Sequence, residues 1–313
     1  MNLPSPLPLS AARPTPMPSP HTLPRLPRLP SLFLSHGSPM TALQPGAAGG
    51  FFGALGARLA AAAMRPRAIL AISAHSLARE PLLMAAAQHH TVHDFNGFPE
   101  ALYQLRWDAP GAPALAGRVA SLLQAASIPV HRTDQGGLDH GIWSPLRFVW
   151  PQADIPLLPL AFAPDWSPTR LFALGQALAP LADEGVLVLG TGSITHNLRL
   201  LFGVQPMPAL DAPEIASSAA FRQWFAQRGA AADWPALLDY RAQAPHAALM
   251  HPTDEHLLPW FVAAGVGGLE SPAWRIHDSL TYGCLGMDAY AFGDAAGYLV
   301  KAVTEGGTEP ASP

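Results

Sequence analysis

The stretch SLFLSHGSPM, at residues 31–40, decides the fold that we predict. Its apolar residues 32–34 predict a short buried strand, and a His-Gly-Ser-Pro turn follows that strand. Open α/β folds build their functional sites at the carboxyl ends of such strands. We therefore expect His36 at the functional edge of a sheet, with the flexible Gly37 beside it.

Two further stretches repeat this arrangement. AILAISAHS, at residues 68–76, is apolar and ends near His75, and VLVLGTGSITHNL, at residues 186–198, places His196 beyond a glycine-rich turn. Strands that alternate with helix-forming segments predict an α/β fold, with three α/β/α layers around a mostly parallel or mixed central sheet. Three histidines at one sheet edge suggest a metal site.

The composition limits the classes of protein that we consider. The chain has 313 residues, of which 49% are hydrophobic, and this is enough for a large folded domain. A net charge of -4 with only 13% charged residues argues against a nucleic-acid partner. No apolar run reaches the roughly 18 residues of a membrane span, so we expect a soluble, cytoplasmic protein. Cys284 is the only cysteine, which excludes an internal disulfide and a cysteine-based zinc cluster.

The first thirty residues differ from the rest of the chain. They contain ten prolines, three arginines and no acidic residue. Repeated proline removes backbone donors and prevents a packed element. We therefore predict a disordered, proline-rich arm over residues 1–30 and a single domain over residues 31–313.

The strand-end histidines are the first candidates for metal ligands. A lone histidine beside an apolar strand is more often a hydrogen-bonded core residue than a ligand. His36 and His75 are stronger candidates, because the small residues next to them leave room for a metal and a substrate. The GTGS segment before His196 lacks the ending of a phosphate-binding loop, and Ser193 lacks the spacing of a hydrolase nucleophile.

Two histidines outside the strands are further candidates. His140, in Leu-Asp-His-Gly, is equally well interpreted as an acid/base near a substrate or as a turn residue. His251 and His256 are five residues apart, so at most one of them points at a common metal. We interpret the adjacent Asp254 and Glu255 as charges at the start of a helix over residues 251–265.

Six motifs occur in a fixed order: SHGSPM, SAHS, FNGFPEALY, LDHGIWSPLR, GTGSITHNL and HPTDEHLLPWFVAAG. Together they closely resemble the class III extradiol ring-cleavage dioxygenases, in the DOPA 4,5-dioxygenase-like branch of that superfamily. The resemblance covers about residues 31–290 and leaves the proline-rich arm outside. It implies that residues 31–313 form a catalytic dioxygenase domain. Such a domain opens the ring of a small, DOPA-like catechol with both atoms of O2 at a non-haem metal.

The resemblance also implies a role for each histidine. His36 and His75 match the two strand-end metal ligands of the family. His256 stands where protocatechuate-type relatives carry a metal-binding glutamate. His196 matches a catalytic acid/base and could be a fourth ligand, and His140 matches a second catalytic histidine near the substrate. We expect substrate contacts from Ser38, Phe95, Phe98 and Pro99.

The predicted ligand set is compatible with two metals. A triad of two histidines and one carboxylate points to non-haem iron(II). With His256 in place of the carboxylate, three histidines are equally a zinc pattern. The resemblance to the dioxygenases implies Fe(II), and Zn(II) is the alternative.

Two rival functions stay open at this stage. One is a zinc-dependent hydrolase that uses the same histidines to make a bound hydroxide. It lacks an H-E-x-x-H motif in this sequence. The other is a non-enzymatic binding protein on this scaffold, although such a protein would not need five histidines. For the dioxygenase we expect a small catechol and O2 as partners, no nucleic acid and no membrane, and the motifs indicate no oligomeric state.

Overall fold

A computed structural model describes residues 28–305 of the chain. The predicted arm therefore lies outside the described residues, apart from its last three positions. Leu29, at one of these positions, is buried in a core cluster, and its N–H donates to the carbonyl of Ala182 at 3.1 Å. The folded domain thus includes residues just before the predicted boundary at residue 31.

Strands and helices alternate through most of the described chain. The strands are β1 (Ser31–Ser35), β2 (Ala68–Ser73), β3 (Leu82–Met84), β4 (Gln88–His89), β5 (Ala109–Pro110), β6 (His131–Thr133), β7 (Leu157–Ala161), β8 (Val186–Gly192), β9 (Trp274–His277), β10 (Leu280–Thr281), β11 (Leu285–Gly286) and β12 (Ala289–Phe292). The helices are α1 (Gly46–Ala61), α2 (Glu100–Tyr103), α3 (Pro113–Ala125), α4 (His140–Val149), α5 (Pro168–Leu178), α6 (Pro180–Asp183), α7 (Leu198–Phe202), α8 (Ala216–Ala230), α9 (Trp234–Leu238), α10 (Tyr240–Gln243), α11 (Ala247–Met250), α12 (Leu258–Gly267) and α13 (Ala296–Glu305). In the part of the chain that the structure describes, no helix has the length and apolar character needed to cross a membrane.

Eight strands form one mixed sheet in the order β6-β3-β7-β2-β8-β1-β12-β9. The central strands β7, β2, β8 and β1 are mutually parallel. β3 and β12 pair antiparallel to the two ends of this central group. Since β2, β8 and β1 are parallel neighbours, their carboxyl ends meet at one edge, as the sequence predicts.

Both faces of the sheet are covered, which confirms the predicted three-layer α/β fold. Along β2, Leu70 and Ile72 belong to one core cluster, whereas Ile69 and Ala71 belong to the other. The first cluster includes residues of α5 and α12, and the second includes residues of α1 and α4. Strands that are buried on both faces read as continuous apolar runs, and this is why the central strands are recognisable in the sequence.

One predicted helix is wrong at its start. The helix predicted over residues 251–265 begins only at Leu258, with Pro259 in its first turn, a position where a missing N–H costs little. The backbone carbonyl of Asp254 accepts from both Leu257 and Leu258, so the preceding residues form a turn. His256 therefore lies in a turn before α12 and not within a helix.

The segment GGLDHGIWSPLRFVW, at residues 136–150, begins with two glycines and therefore predicts a loop, but most of it is helical. Helix α4 begins at His140 and buries Ile142, Trp143 and Leu146. These residues recur at helical spacing, so burial of one face stabilises the helix in spite of Pro145 within it. His140 consequently has a fixed position as the first residue of a helix.

Candidate metal centre

The strand-end histidines stand together at the carboxyl edge of the sheet. His36 directly follows β1, and its N–H donates to the carbonyl of Gly192 at 3.0 Å. His75 lies two residues beyond β2, with its N–H 3.2 Å from Ser73 Oγ. His196 lies four residues beyond β8, and its N–H donates to the carbonyl of Met250 at 2.9 Å. Hydrogen bonds from their backbone N–H groups thus attach His36 and His196 to other segments and His75 to the end of its own strand.

His140 and His256 complete a cluster of five histidines. The His75 ring centroid lies 5.0 Å from that of His36, 4.1 Å from that of His140 and 4.9 Å from that of His256. The rings of His196 and His256 are stacked, with centroids 3.4 Å apart. The structure therefore brings together every histidine that the sequence singles out for chemistry.

A glycine allows His256 to approach the sheet. A Cβ atom on Gly192 would lie 2.0 Å from the backbone oxygen of His256, a distance that no side chain can occupy. The next residue, Ser193, donates its N–H to that same oxygen at 2.8 Å. The turn before α12 is therefore anchored directly on the end of β8.

The tautomer of His36 follows from its neighbours. Thr191 Oγ1 donates its only proton to the carbonyl of Gly141 at 2.7 Å. It must therefore accept from His36 Nδ1–H, which lies 2.9 Å away. This leaves a lone pair on His36 Nε2, and that atom lies 3.1 Å from His75 Nε2.

Carboxylates orient His140 and His256. His140 Nδ1 lies 3.0 Å from Asp94 Oδ2, and His256 Nδ1 lies 3.1 Å from Glu255 Oε1. An ionised carboxylate only accepts hydrogen bonds, so both Nδ1 atoms donate, and each Nε2 keeps its lone pair. A carboxylate behind a histidine is the usual way in which proteins orient a metal ligand and raise its basicity.

Burial keeps the rings of His36, His75, His196 and His256 neutral. Burial, together with the neighbouring histidines, lowers the pKa of His75 to about 3 and that of His196 to about 2. The same causes lower the pKa of His36 and, in spite of Glu255, that of His256. Burial opposes the ionisation of Glu255, but hydrogen bonds from His256 and its surroundings bring its pKa down to about 2. The centre thus combines neutral ring nitrogens with ionised carboxylates.

A cavity of about 470 Å³ opens beside the histidines, and all five of them line it. Phe95, Phe98, Leu198 and Phe202 supply much of its apolar wall, and Ser38 supplies a hydroxyl. Ser38, Phe95 and Phe98 therefore line the cavity, where the sequence predicts substrate contacts. Pro99 does not, because it is an exposed residue at the start of α2.

The sequence was then compared with known proteins. Residues 30–293 match the family described as the catalytic LigB subunit of aromatic ring-opening dioxygenase. The chain belongs to this family.

Similar proteins agree with this membership. The chain is 38% identical over 263 residues to a Beta vulgaris protein named 4,5-DOPA dioxygenase extradiol, covering 84% of this chain and 96% of that protein. It is 36% identical over 270 residues to a Portulaca grandiflora protein of the same name, covering 84% and 95%. A crystal structure of an uncharacterized Escherichia coli K12 protein matches with a TM-score of 0.64 at 26% identity, covering 85% of this chain and all of that one.

The protein is thus an extradiol ring-opening dioxygenase, and the zinc hydrolase and the non-enzymatic binding protein are set aside. LigB dioxygenases use a non-haem metal, act on small aromatic substrates and consume O2. The histidine cluster of this LigB dioxygenase could bind such a metal.

The donor set of this LigB dioxygenase fits a divalent metal ion. With metal–nitrogen bonds of about 2.1 Å, two nitrogens 3.1 Å apart would subtend roughly 95° at one ion. Neutral imidazole nitrogens are also the form of histidine that metals require. The donor atoms of His36, His75 and His140 lie within 4.8 Å of one another, as do those of His196, Glu255 and His256. The ligand atoms thus form two adjacent groups, with His140 and not His256 grouped with the strand-end pair.

Sequence reasoning missed three residues that support the cluster. Asp94 precedes the FNGFPEALY motif, and Thr191 lies within the GTGS segment, but neither has a local signal of its role. Glu255 was interpreted as helix-terminal charge because the helix was predicted to start too early. The HPTDEH motif could have indicated it, since a carboxylate directly before a candidate ligand can bind that ligand's second nitrogen.

Proposed function

We propose that this LigB dioxygenase opens the ring of a small, DOPA-like catechol, using O2 at a non-haem Fe(II) ion. The observation that carries the proposal is the cluster of neutral histidines beside a largely apolar cavity of about 470 Å³. A catechol needs both features, because its diol binds a metal and its ring packs against apolar side chains. The Beta vulgaris and Portulaca grandiflora relatives, each named 4,5-DOPA dioxygenase extradiol, support the substrate class.

We assign the metal to His36, His75 and His256, with His196 as a fourth ligand in reserve. The 3.1 Å separation of the His36 and His75 Nε2 atoms supports the first two assignments. Glu255 supports the third, because it orients His256 and supplies a negative charge that a histidine triad otherwise lacks. Bound there, iron(II) supplies Lewis-acid binding of the diol and electron transfer between the ring and dioxygen. Zinc has no redox chemistry, so a reaction that consumes O2 favours iron.

His196 is assigned to proton transfer, and His140 is assigned to a hydrogen bond with the substrate. We give His196 the role of accepting a proton from a catechol hydroxyl and returning it later. Burial and the adjacent His256 lower the pKa of His196, which keeps the ring neutral at pH 7 with a lone pair that can accept a proton, although the same shift makes the ring a weaker base. His140 hydrogen-bonds the substrate through Nε2, because Asp94 holds its Nδ1–H.

Aromatic side chains are assigned to hold the substrate ring. The Phe95 ring lies 5.4 Å from that of Phe98 and 5.7 Å from that of His140, in edge-on contacts. An aromatic substrate can extend such a group through further edge or face contacts. Ser38, on the cavity wall, is available to hydrogen-bond a polar substituent.

We also propose a cytoplasmic location, with the catechol and O2 as the only partners that the reaction requires. Cys284 is free and buried, and a chain without an internal disulfide suits a reducing compartment. A net charge of -4 disfavours nucleic acid as a partner.

The test is reconstitution of metal-free protein under anaerobic conditions with Fe(II) or Zn(II), followed by DOPA and air. We expect oxygen uptake and a yellow ring-opened product with iron only, and loss of both signals in His36→Ala and His196→Ala. An iron-loaded protein that consumes no oxygen with any catechol of a broad panel would refute the proposal.

A further inference from the structure

The described residues that line the cavity supply a negative side-chain charge but no arginine or lysine. Among the described residues, those that line the cavity include one carboxylate, Glu255, and no arginine or lysine. A second carboxylate, Asp94, lies directly behind His140, with 22% of its side chain exposed. Away from the histidines, the wall is largely apolar and is formed in part by Phe95, Leu198 and Phe202, with Ser38, Asn96 and Ser193 as neutral polar residues.

The nearest arginines along the chain are not among the residues that line the cavity. Arg199 follows Leu198 on α7 but is exposed and does not line the cavity. Arg106, beyond the Phe95 loop, donates to the backbone oxygens of Tyr103 and Leu105. A carboxylate on the substrate would therefore find no arginine or lysine among the described side chains that line the cavity.

This arrangement sets a preference for the charge of the substrate. A carboxylate that enters this cavity loses hydration and gains no ion pair with the described lining, which offers it only neutral polar groups such as those of Ser38 and Asn96. Here it also meets the negative charge of Glu255, whose repulsion is stronger in a partly desolvated site than in water. An ammonium group would meet attraction from the same side chain, and an alkyl group would meet the apolar wall.

We infer that this enzyme selects catechols whose side chain is cationic or uncharged and discriminates against those with an anionic side chain. The inference rests on the proposed catechol-opening function and adds a substrate class to it. The preference arises from the largely apolar α7 wall, from Glu255 in the lining and from Asp94 behind His140, since the described residues that line the cavity include no arginine or lysine.

Four catechols whose side chains share the same two-carbon unit and differ in charge test the inference on the iron-loaded enzyme. These are dopamine, 4-ethylcatechol, DOPA and 3,4-dihydroxyphenylpropionate, and kcat/KM is measured for each by oxygen uptake. We expect kcat/KM for dopamine and 4-ethylcatechol to exceed that for the propionate by at least about tenfold, since an unpaired charge costs that factor or more. The zwitterion DOPA should fall between them. The gap between dopamine and the propionate should narrow at high salt.

A kcat/KM for the propionate that equals or exceeds that for 4-ethylcatechol would overturn the inference while leaving catechol cleavage intact. No oxygen uptake with any of the four would instead refute the proposed function. The two failures are therefore distinguishable in one experiment.

A substitution on the cavity wall provides the matched test. Leu198 lines the cavity, is 45% exposed and is the first residue of α7, two residues beyond His196. Leu198→Arg should raise the ratio of propionate to 4-ethylcatechol kcat/KM by about tenfold, because it supplies the missing ion-pair partner. Leu198→Gln, polar but neutral, should leave that ratio unchanged. An unchanged ratio in Leu198→Arg, or an equal rise in both variants, would show that the charge of the cavity does not set the preference.

Discussion

Two parts of the histidine cluster are held in different ways. On the strand side, His36 donates its Nδ1–H to the neutral hydroxyl of Thr191. On the loop side, His140 and His256 donate theirs to carboxylates, Asp94 and Glu255. All three partners fix a tautomer, but only the carboxylates add negative charge to the centre.

The difference between hydroxyl and carboxylate partners implies different roles for the histidines that they orient. A hydroxyl partner orients His36 without changing its electrostatics, so that histidine acts as a fixed ligand. A carboxylate partner also stabilises positive charge on the ring or on an ion that the ring binds. His140 and His256 are thus suited to respond to the charge of a metal or a proton.

The largest effect is expected where the centre loses a strand-end ligand. In His36→Ala, the nitrogen that faces His75 at 3.1 Å is gone. We expect ring-opening activity to fall below detection and metal affinity to drop by at least about 100-fold, more than a supporting partner would cost. Metal analysis after dialysis checks this result. Iron content at the wild-type level would contradict the assignment of His36 as a ligand.

Neutralising Glu255 and neutralising Asp94 should affect different properties of the enzyme. Glu255→Gln should lower iron affinity by about 10–100-fold, the usual cost of losing a partner behind a metal-binding histidine. Asp94→Asn should leave the iron content near that of the wild type and lower kcat, because its histidine is assigned to the substrate. The Asp94 carboxylate is also 3.6 Å from His75 Nδ1, which is beyond hydrogen-bond distance.

This pair of variants also decides between the two groups of ligand atoms. If Asp94→Asn loses iron and Glu255→Gln keeps it, then His140, and not His256, completes the triad with His36 and His75. Iron titration of both variants under anaerobic conditions, with steady-state oxygen uptake beside it, gives the answer. The two variants control for each other, since both exchange one carboxylate for its amide.

The strand side of the centre could be predicted from sequence, and the loop side only in part. His36, His75 and His196 were found because apolar runs reveal buried strands, and parallel strands end at a common edge. The family resemblance added His140 and His256, but not the elements that carry them. Both element predictions failed, because a glycine-rich segment became helical and a predicted helix started late.

The partners of the histidines were the least predictable feature. His140 and Asp94 are 46 residues apart, and His36 and Thr191 are 155 residues apart. Only the folded sheet and its loops bring such residues together, and no local pattern marks them. Glu255 is next to its partner in sequence, but its role depends on the turn that replaces the predicted helix.

A smaller effect is expected from pH on the stability of the protein. It tests whether the fold keeps His75 and His196 neutral. Burial lowers the pKa of His75 to about 3 and that of His196 to about 2. In the unfolded chain both titrate near about 6.5. The unfolded state therefore binds more protons below that pH, and each such group removes roughly 1 kcal/mol of stability per pH unit.

The stability of the metal-free protein should thus be fully present above about pH 6.5 and decline as the pH falls toward 4. Denaturant unfolding of the metal-free protein at pH 8, 7, 6 and 5 measures the slope. His75→Gln should have a shallower slope, because one buried neutral histidine is removed. An equal slope in both proteins would mean that His75 is not held neutral by the fold.

The smallest effect is expected at Thr191, where the hydroxyl partner is tested directly. Thr191→Val keeps the shape of the side chain but leaves His36 Nδ1–H and the carbonyl of Gly141 without their partner in a fully buried site. A buried unpaired group costs about 1–3 kcal/mol, so Tm should fall and metal affinity should weaken by about tenfold. Thr191→Ser keeps the hydroxyl and should retain most of both. If Val and Ser behave alike in iron titration, the hydroxyl does not orient His36, and the strand side depends on packing alone.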